Sequence, residues 1–275
     1  MQITDFNIYQ DILYKKSGFA ITPEKSYLLE TRLKPIAQKH GYTDLTGLTA
    51  ALRGFPPANL VDDVVDAMTT NETFFFRDNK PFDTFKDKLL PHLMKTRTDK
   101  KLRIWCAACS SGQEPYSLAM ILREKGLHTQ GWNIEIKATD ISREILAKAQ
   151  KGLYSQFEVQ RGMPIQLLVK YFTQTPEGWT INDDIKRMVN FGTYNLLNPM
   201  SSMGKFDIIF CRNVLIYFDP ETKKKVLDEM AGLMKPDTTL LLGGAETVLG
   251  INDKFRPSSQ ITGVYVLANA DDAVK

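Results

Sequence analysis

The stretch 102–126, LRIWCAACSSGQEPYSLAMILREKG, decides the fold. LRIWCA is a short apolar run of the kind that forms a buried strand, and QEPYSLAMILREKG is long enough for a helix. Between them lies a turn of small residues, which lets backbone approach a ligand closely. IEIKATD then supplies a second strand and SREILAKAQKG a second helix. The series resumes with RMVNFGTYNLL, FDIIFC, a helix in DPETKKKVLDEMAGLMK, the strand TTLLLGG and finally GVYVLAN. Strands alternating with helices predict an α/β domain, a parallel sheet covered by helices.

Outward from this core, residues 1–68 read as an all-helical domain. Phe6, Tyr9, Ile12 and Leu13 recur at helical spacing before Gly18. A second helix carries the apolar stripe Leu29, Leu33, Ile36 and Ala37, with Thr22 placed to cap it and Pro23 at its first position. Lys25, Arg32, Lys34 and Lys39 mark its other face, and PPANLVDDVVDAMTT supplies a further helix. Residues 69–93 are expected to be a linker and lid, and 94–275 the sheet domain. Within that domain, about 153–186 interrupts the alternation. YFTQTPEGWTIND there has a Pro-Glu-Gly turn, so the interruption reads as a small inserted β element.

The bulk numbers set limits. Over 275 residues a net charge of +3 gives little support for a nucleic-acid binder held by phosphate contacts. No apolar run reaches the length of a membrane span, and MQITDFNIYQDILYKK lacks the apolar core of a signal peptide, so a cytoplasmic protein is expected. Cys106, Cys109 and Cys211 are odd in number and lie in apolar surroundings, which suits reduced thiols.

In an open parallel sheet, ligands bind beyond the carboxyl ends of the strands where strand order reverses. With only Gly112 in the first turn, the spaced-glycine fingerprint for a pyrophosphate is missing. Glu114 stands near the helix start, either receiving an ammonium group or complementing the helix dipole on a solvated first turn. Asp140, at the tip of the second strand, either accepts both hydroxyls of a ribose or caps the helix beginning near Ser142. An acid placed for a ribose, without a pyrophosphate cradle, suggests a mononucleoside. Arg212, Asn213 and Tyr217 emerge after the fourth strand, where buried polar groups need partners, whether a ligand or the loop itself.

TTNETFFFRD, AACSSGQEPYSLAM, ATDIS, YNLL and FDIIFCRNVLIYF, in this order and over nearly the whole chain, resemble the chemoreceptor glutamate methyltransferases, the CheR family. The resemblance implies a Rossmann-like methyltransferase domain that binds S-adenosylmethionine, with a small inserted β-subdomain and an all-helical N-terminal domain. It implies a cofactor site lined by Asn71, Thr73, Arg77, Glu114, Asp140, Asn195, Leu196, Arg212 and Asn213, and it matches Arg77 and Tyr217 to the positions that orient the reacting carboxylate. The implied substrates are glutamates on a chemoreceptor's cytoplasmic helices, methylated for adaptation, and the basic face of the second helix is a candidate docking surface. Phe74–Phe76 are expected to wall the site and to join the core. A monomer without metal, nucleic acid or membrane insertion is expected.

Two departures stand out. The hairpin around QTPEGW is shorter than in members that grip a receptor's C-terminal pentapeptide, so no such tether is expected. GGAETV replaces the usual glycine-histidine-serine-glutamate run, which leaves the role of Glu246 open.

Other classes have weaker claims. Cys106 and Cys109 have the spacing of thiol oxidoreductases, but the rest of that fold is missing. Zinc lacks ligand-spaced histidines. A nucleic-acid methyltransferase is suggested by nine basic against four acidic residues over 77–103, but the acidic or Asn-Pro-Pro-aromatic motif that adenine chemistry needs after the fourth strand is absent. A non-catalytic cofactor sensor would not need both Arg77 and Tyr217.

Overall fold

The computed structural model describes residues 3–270, so the outer bounds expected at residues 1 and 275 lie outside the described residues. Two compact units divide the chain: Met1–Thr70 with Ile216–Lys223, and Asn71–Leu215 with Lys224–Lys275.

Among the described residues the first unit contains the helices α1 (Ile3–Ser17), α2 (Tyr27–Lys39), α3 (Leu45–Arg53) and α4 (Ala58–Met68). Phe6, Tyr9 and Leu13 of α1 and Leu29, Leu33 and Ala37 of α2 are buried, the inward faces that a 3.6-residue period requires. The sequence pattern passes over α3, because LTGLTAALR is short and holds glycine and threonine. Asp44 starts it by accepting the Gly47 N–H at 3.0 Å, and burial of Leu48 and Leu52 holds it in place.

Two expectations are corrected here. Thr22 and Pro23 do not open α2; Pro23–Lys25 is a separate 3-10 turn, and Thr22 makes no side-chain capping bond. The basic face is also dispersed. Lys25 lies in that turn. Arg32 donates to the Met68 and Thr69 carbonyls, 2.9 Å each, because the C-terminal carbonyls of α4 need donors. Lys39 pairs with Asp63 at 2.8 Å, and His40 is partly buried with Nε2 2.7 Å from the same carboxylate. Lys34, two positions from Arg32, is rotated by about 200° around the helix.

Residues 69–93, expected to be a linker and lid, hold helix from Lys80 onward. α5 (Lys80–Thr84), a π-helical turn (Phe85–Leu89) and α6 (Leu90–Thr96) run on from one another. Phe82, Phe85, Leu89, Leu90 and Leu93 are buried along one side, and Phe82 and Phe85 pack on Phe210 of the sheet. Truncating a buried phenylalanine of this kind costs about 3–5 kcal/mol, so this side of the segment is part of the core.

β1 (Lys101–Ala107), α7 (Gln113–Glu124), β2 (Asn133–Asp140) and α8 (Arg143–Lys151) follow as the alternation predicts. The insert adds β3 (Leu153–Tyr154), α9 (Gln156–Gln160), α10 (Ile165–Tyr171), β4 (Phe172–Thr175), β5 (Gly178–Ile181) and α11 (Asp183–Lys186). Three strands in the order β3-β5-β4 are therefore accompanied by three short helices, a fuller element than a hairpin. The main sheet resumes with β6 (Val189–Thr193), β7 (Phe206–Cys211), α12 (Pro220–Gly232), β8 (Met234–Leu242), β9 (Phe255–Pro257) and β10 (Val264–Leu267).

The sheet order is β6-β2-β1-β7-β8-β10-β9. β6 through β8 are parallel, as expected, but β10 pairs antiparallel with β8, and β9 with β10. The parallel sheet thus ends in an antiparallel edge, where short connections replace crossover helices. From β1 the chain moves outward to β2 and β6, then returns to β1's other side with β7. The reversal lies between β1 and β7, with Ala107 beside Cys211 at their carboxyl ends.

Candidate active site

At the end of β1 the turn is held in an unusual conformation. Ala108 and Ser110 have φ of 56° and 51°, a left-handed geometry that costs a residue with a Cβ about 1–2 kcal/mol. Hydrogen bonds on several sides hold it. The Cys109 N–H donates to the Thr139 carbonyl at 2.9 Å and the Ser110 N–H to Asp140 Oδ2 at 2.8 Å. The Ser110 hydroxyl donates to the Asn71 carbonyl and the Tyr154 hydroxyl to the Ser111 carbonyl, both at 2.8 Å. Gly112, with φ 91°, is needed for packing: a Cβ there would press on Ala149, Phe191 and Tyr116 at 3.0–3.2 Å.

Asp140 is buried at the tip of β2. Oδ1 accepts the Ser142 N–H at 3.0 Å while Oδ2 holds Ser110, so it ties the ends of β1 and β2 together. The helix cap is Ser142, whose hydroxyl accepts the Ile145 N–H. Burial raises the Asp140 carboxyl above the usual range, although the Ser142 and Ser110 N–H groups oppose this. An ionised carboxylate has about four acceptor sites, which the Ser142, Ser110 and Ile141 N–H groups do not fill.

Glu114 and Arg212 form a buried pair across the reversal. Arg212 Nη1 donates to Glu114 Oε2 at 2.8 Å, and Nη2 donates to the Arg77 carbonyl and to Asp78, also at 2.8 Å. The solvated first turn considered for Glu114 is not what the fold provides: its carboxyl is raised by burial, against the pull of Arg212 and Arg77. Arg212 Nε is buried without a hydrogen-bond partner, an orphaned donor of the kind that a ligand acceptor satisfies.

The stretch 69–77 is fastened to this site. The Phe76 N–H donates to the Ser117 hydroxyl at 3.1 Å. Phe75 is fully buried, with its ring edge-on to Tyr154 and Phe172 of the insert, and Phe76 packs on Phe82. Phe74 is only partly buried, with the Arg77 guanidinium 5.7 Å from its ring centroid and that of Arg161 at 4.3 Å. Arg77 Nη1 donates to the Glu72 carbonyl at 2.7 Å. Asn71, Thr73 and Arg77 are all partly buried.

Beyond β6, Asn195 folds its own loop, with Oδ1 accepting the Leu197 N–H at 3.0 Å, and Leu196 is buried beside it. Beyond β7, Asn213 has φ 58°, and the residue holding it is Glu246. Glu246 Oε2 accepts the N–H groups of Asn213 and Gly243 at 2.7 Å, and Oε1 that of Val214 at 2.9 Å. A Cβ on Gly243 would stand 2.7 Å from Glu246 Oε2 and 2.8 Å from Asn213 Nδ2, so glycine is required for space. Only the polar–glycine run GGAETV could have signalled this function in the sequence. Tyr217 groups with the helical unit, where its carbonyl accepts the Ala20 N–H at 3.0 Å and its ring meets Phe19 edge-on.

Residues 71–264 match the family model described as CheR methyltransferase, SAM binding domain, and residues 4–69 match that described as CheR methyltransferase, all-alpha domain. The chain belongs to the CheR methyltransferase family. Chemotaxis protein methyltransferase Cher2 of Pseudomonas putida is 38% identical to it over 256 residues, 92% of this chain and 93% of the relative. A chemotaxis protein methyltransferase of Vibrio parahaemolyticus is 40% identical over 254 residues, covering 91% and 92%. Chemotaxis protein methyltransferase 1 of Vibrio cholerae is 41% identical over 246 residues, covering 88% and 89%.

This CheR-family protein is an S-adenosylmethionine-dependent methyltransferase, and its site fits the cofactor. The orphaned Nε–H of Arg212, the lone pairs of Asp140 and the closely pinned small-residue turn together provide a donor, an acceptor and a wall. Other features of the sequence are absorbed by the fold. Of the basic run 77–103, Arg97 pairs with Asp207 and Asp237, and Arg103 with Glu135. The three thiols are free and buried, with Cys106 and Cys211 on strands and Cys109 in the turn after β1. Among the described residues no group of three or more His, Cys, Asp or Glu could hold a metal ion, and no helix is long and apolar enough to cross a membrane.

Proposed function

We propose that this enzyme methylates glutamate side-chain carboxylates on the cytoplasmic helices of a chemoreceptor, forming methyl esters for chemotactic adaptation. The observation that carries the reading is the pair of cations at the sheet's reversal. Arg212 is buried with one N–H unmatched, and the Arg77 charge acts on Glu114. Two carboxylates need holding, that of the cofactor's methionine part and that of the substrate, and two guanidinium groups suit them. The relatives named as chemotaxis methyltransferases support a chemoreceptor as the methyl acceptor.

Bound S-adenosylmethionine supplies an electrophilic methyl group on a sulfonium. A glutamate of ordinary pKa, about 4.3, is already ionised at neutral pH, so the residues here have no proton to remove. Their task is to strip water from the carboxylate and hold one oxygen in line with the methyl carbon. In this reading Arg77 binds the non-attacking oxygen, since a tight pair with the attacking one would quench it, and the Tyr217 hydroxyl is a second donor. The cofactor would supply the methyl group to the carboxylate oxygen and keep the sulfur as a thioether, so the reaction would balance without a proton from these residues. Asn71, Thr73, Glu114, Asp140, Asn195, Leu196, Arg212 and Asn213 line the cofactor. In this reading the chain is a cytoplasmic monomer with a helical domain over 1–68, a linker and lid over 69–93 and a methyltransferase domain over 94–275. The four-residue strands β4 and β5, joined by a two-residue turn, support a reading in which no receptor-tail tether is needed.

The test is label chemistry on receptor fragments incubated with tritiated cofactor. Carboxylate methylation yields volatile methanol in mild alkali. Label that stays on the fragment after alkali treatment would place the methyl on nitrogen and end the reading.

A further inference from the structure

We propose that the inserted subdomain positions Arg77, with Arg161 as the positioning residue and Phe74 and Glu72 as its two handles. The inference rests on the reading of Arg77 as the group that orients the substrate carboxylate. Arg161 follows α9 in the insert, far in sequence from the 69–77 stretch. Its Nη2 is 2.7 Å from Glu72 Oε1, and its guanidinium lies 4.3 Å from the Phe74 ring centroid. Both partners also hold Arg77. The Glu72 carbonyl accepts from Arg77 Nη1 at 2.7 Å, and the Phe74 ring carries the Arg77 guanidinium at 5.7 Å. The next residue, Gly162, packs so closely that a Cβ on it would collide with the Phe75 carbonyl oxygen. The insert thus meets the stretch at three residues, 74 and 75 by packing and 72 through charge.

The strength of the contacts fits a positioning device better than a structural staple. The Arg161 and Glu72 side chains are 40% and 58% exposed, so their ion pair is screened and contributes little to folding. What they contribute is direction. An arginine with several rotatable bonds is limited to one orientation by a carbonyl on one side and a ring on the other, and a small misplacement of a group that holds a reacting atom is costly in rate.

The experiment compares Arg161→Gln, Phe74→Leu, Phe74→Tyr and Arg77→Ala in the full chain, reading kcat, KM for receptor fragment, and S-adenosylhomocysteine affinity by calorimetry. Arg161→Gln and Phe74→Leu are expected to lower kcat roughly three- to tenfold with cofactor-product affinity unchanged. Phe74→Tyr, which restores the ring, should rescue kcat. In an Arg77→Ala background, whose residual turnover is read by scintillation over hours, Arg161→Gln should add nothing. If Arg77→Ala abolishes turnover but Arg161→Gln and Phe74→Leu keep normal kcat, the positioning role is overturned and the reading of Arg77 stands. Near-normal turnover in Arg77→Ala overturns both. An equal loss from Arg161→Gln with and without Arg77 overturns the coupling.

Discussion

Arg212→Met removes one cation and leaves a buried carboxylate without its partner. The Arg212 side chain is 2% exposed and that of Glu114 11%, so water cannot replace the lost bond. Two unit charges about 4 Å apart at an effective dielectric near 20 attract by about 4 kcal/mol, within the range of about 3–5 kcal/mol measured when one member of a buried pair is deleted. With a urea m-value of about 2 kcal/mol/M, the midpoint should fall by about 2 M. Tryptophan fluorescence reports the correct unit, because Trp105, Trp132 and Trp179 all lie in the sheet unit. Adding Glu114→Gln to Arg212→Met removes the stranded charge and should recover most of the loss. The pH dependence has a definite sign. Burial already raises the Glu114 carboxyl, and without Arg212 it rises further above its unfolded value near 4.3. A folded state that binds the proton more tightly than the unfolded one is penalised fully above its folded pKa and relieved as pH falls. The variant's deficit should therefore be smaller at pH 5 than at pH 8. A deficit below about 1 kcal/mol at pH 8, or one unchanged at pH 5, would refute the reasoning.

Further expectations follow from other parts of the fold. Glu246→Gln cannot accept all three N–H groups, so it should cost about 1–3 kcal/mol and weaken S-adenosylhomocysteine binding about tenfold by calorimetry; unchanged affinity would separate this residue from the site. Gly243→Ala should do the same by steric conflict. Lys254, with Lys224 and Asn252, lowers the Asp228 carboxyl to about 2, below its unfolded value. Its contribution, ~1 kcal/mol after solvent screening, is present above pH ~4 and lost as pH falls toward 2. The melting gap between wild type and Asp228→Asn should close over that window. Burial raises all three thiols, so a thiol reagent at pH 8 should label none of them in the native protein and all of them in urea; rapid native labelling of Cys106 or Cys109 would revive the redox reading.

Much of the sheet unit was legible because its signals are local. LRIWCA, IEIKATD and FDIIFC are apolar runs whose neighbours along the chain already require burial, and Ser142 and Gly152 punctuate α8 where the pattern places its ends. α3 was hidden because its helicity comes from Asp44 and from burial. Residues 80–93 read as part of a linker because their apolar residues follow a helical period interrupted by a π-turn. The antiparallel edge was hidden because a parallel and an antiparallel strand share the same alternation.

By itself, then, the sequence determined the strand–helix alternation of the sheet unit, the small-residue turn at Gly112 and the acid at the tip of β2, since hydrophobic period and turn chemistry are properties of a few consecutive residues. Only the tertiary structure decided what the polar groups do. Glu114 meets Arg212 from 98 positions away, and Glu246 spends its carboxylate on backbone N–H groups that leave no mark in a sequence. A charge placed in low dielectric must find its partner wherever strand order brings the chain ends together, and strand order is set by the packing of the whole sheet.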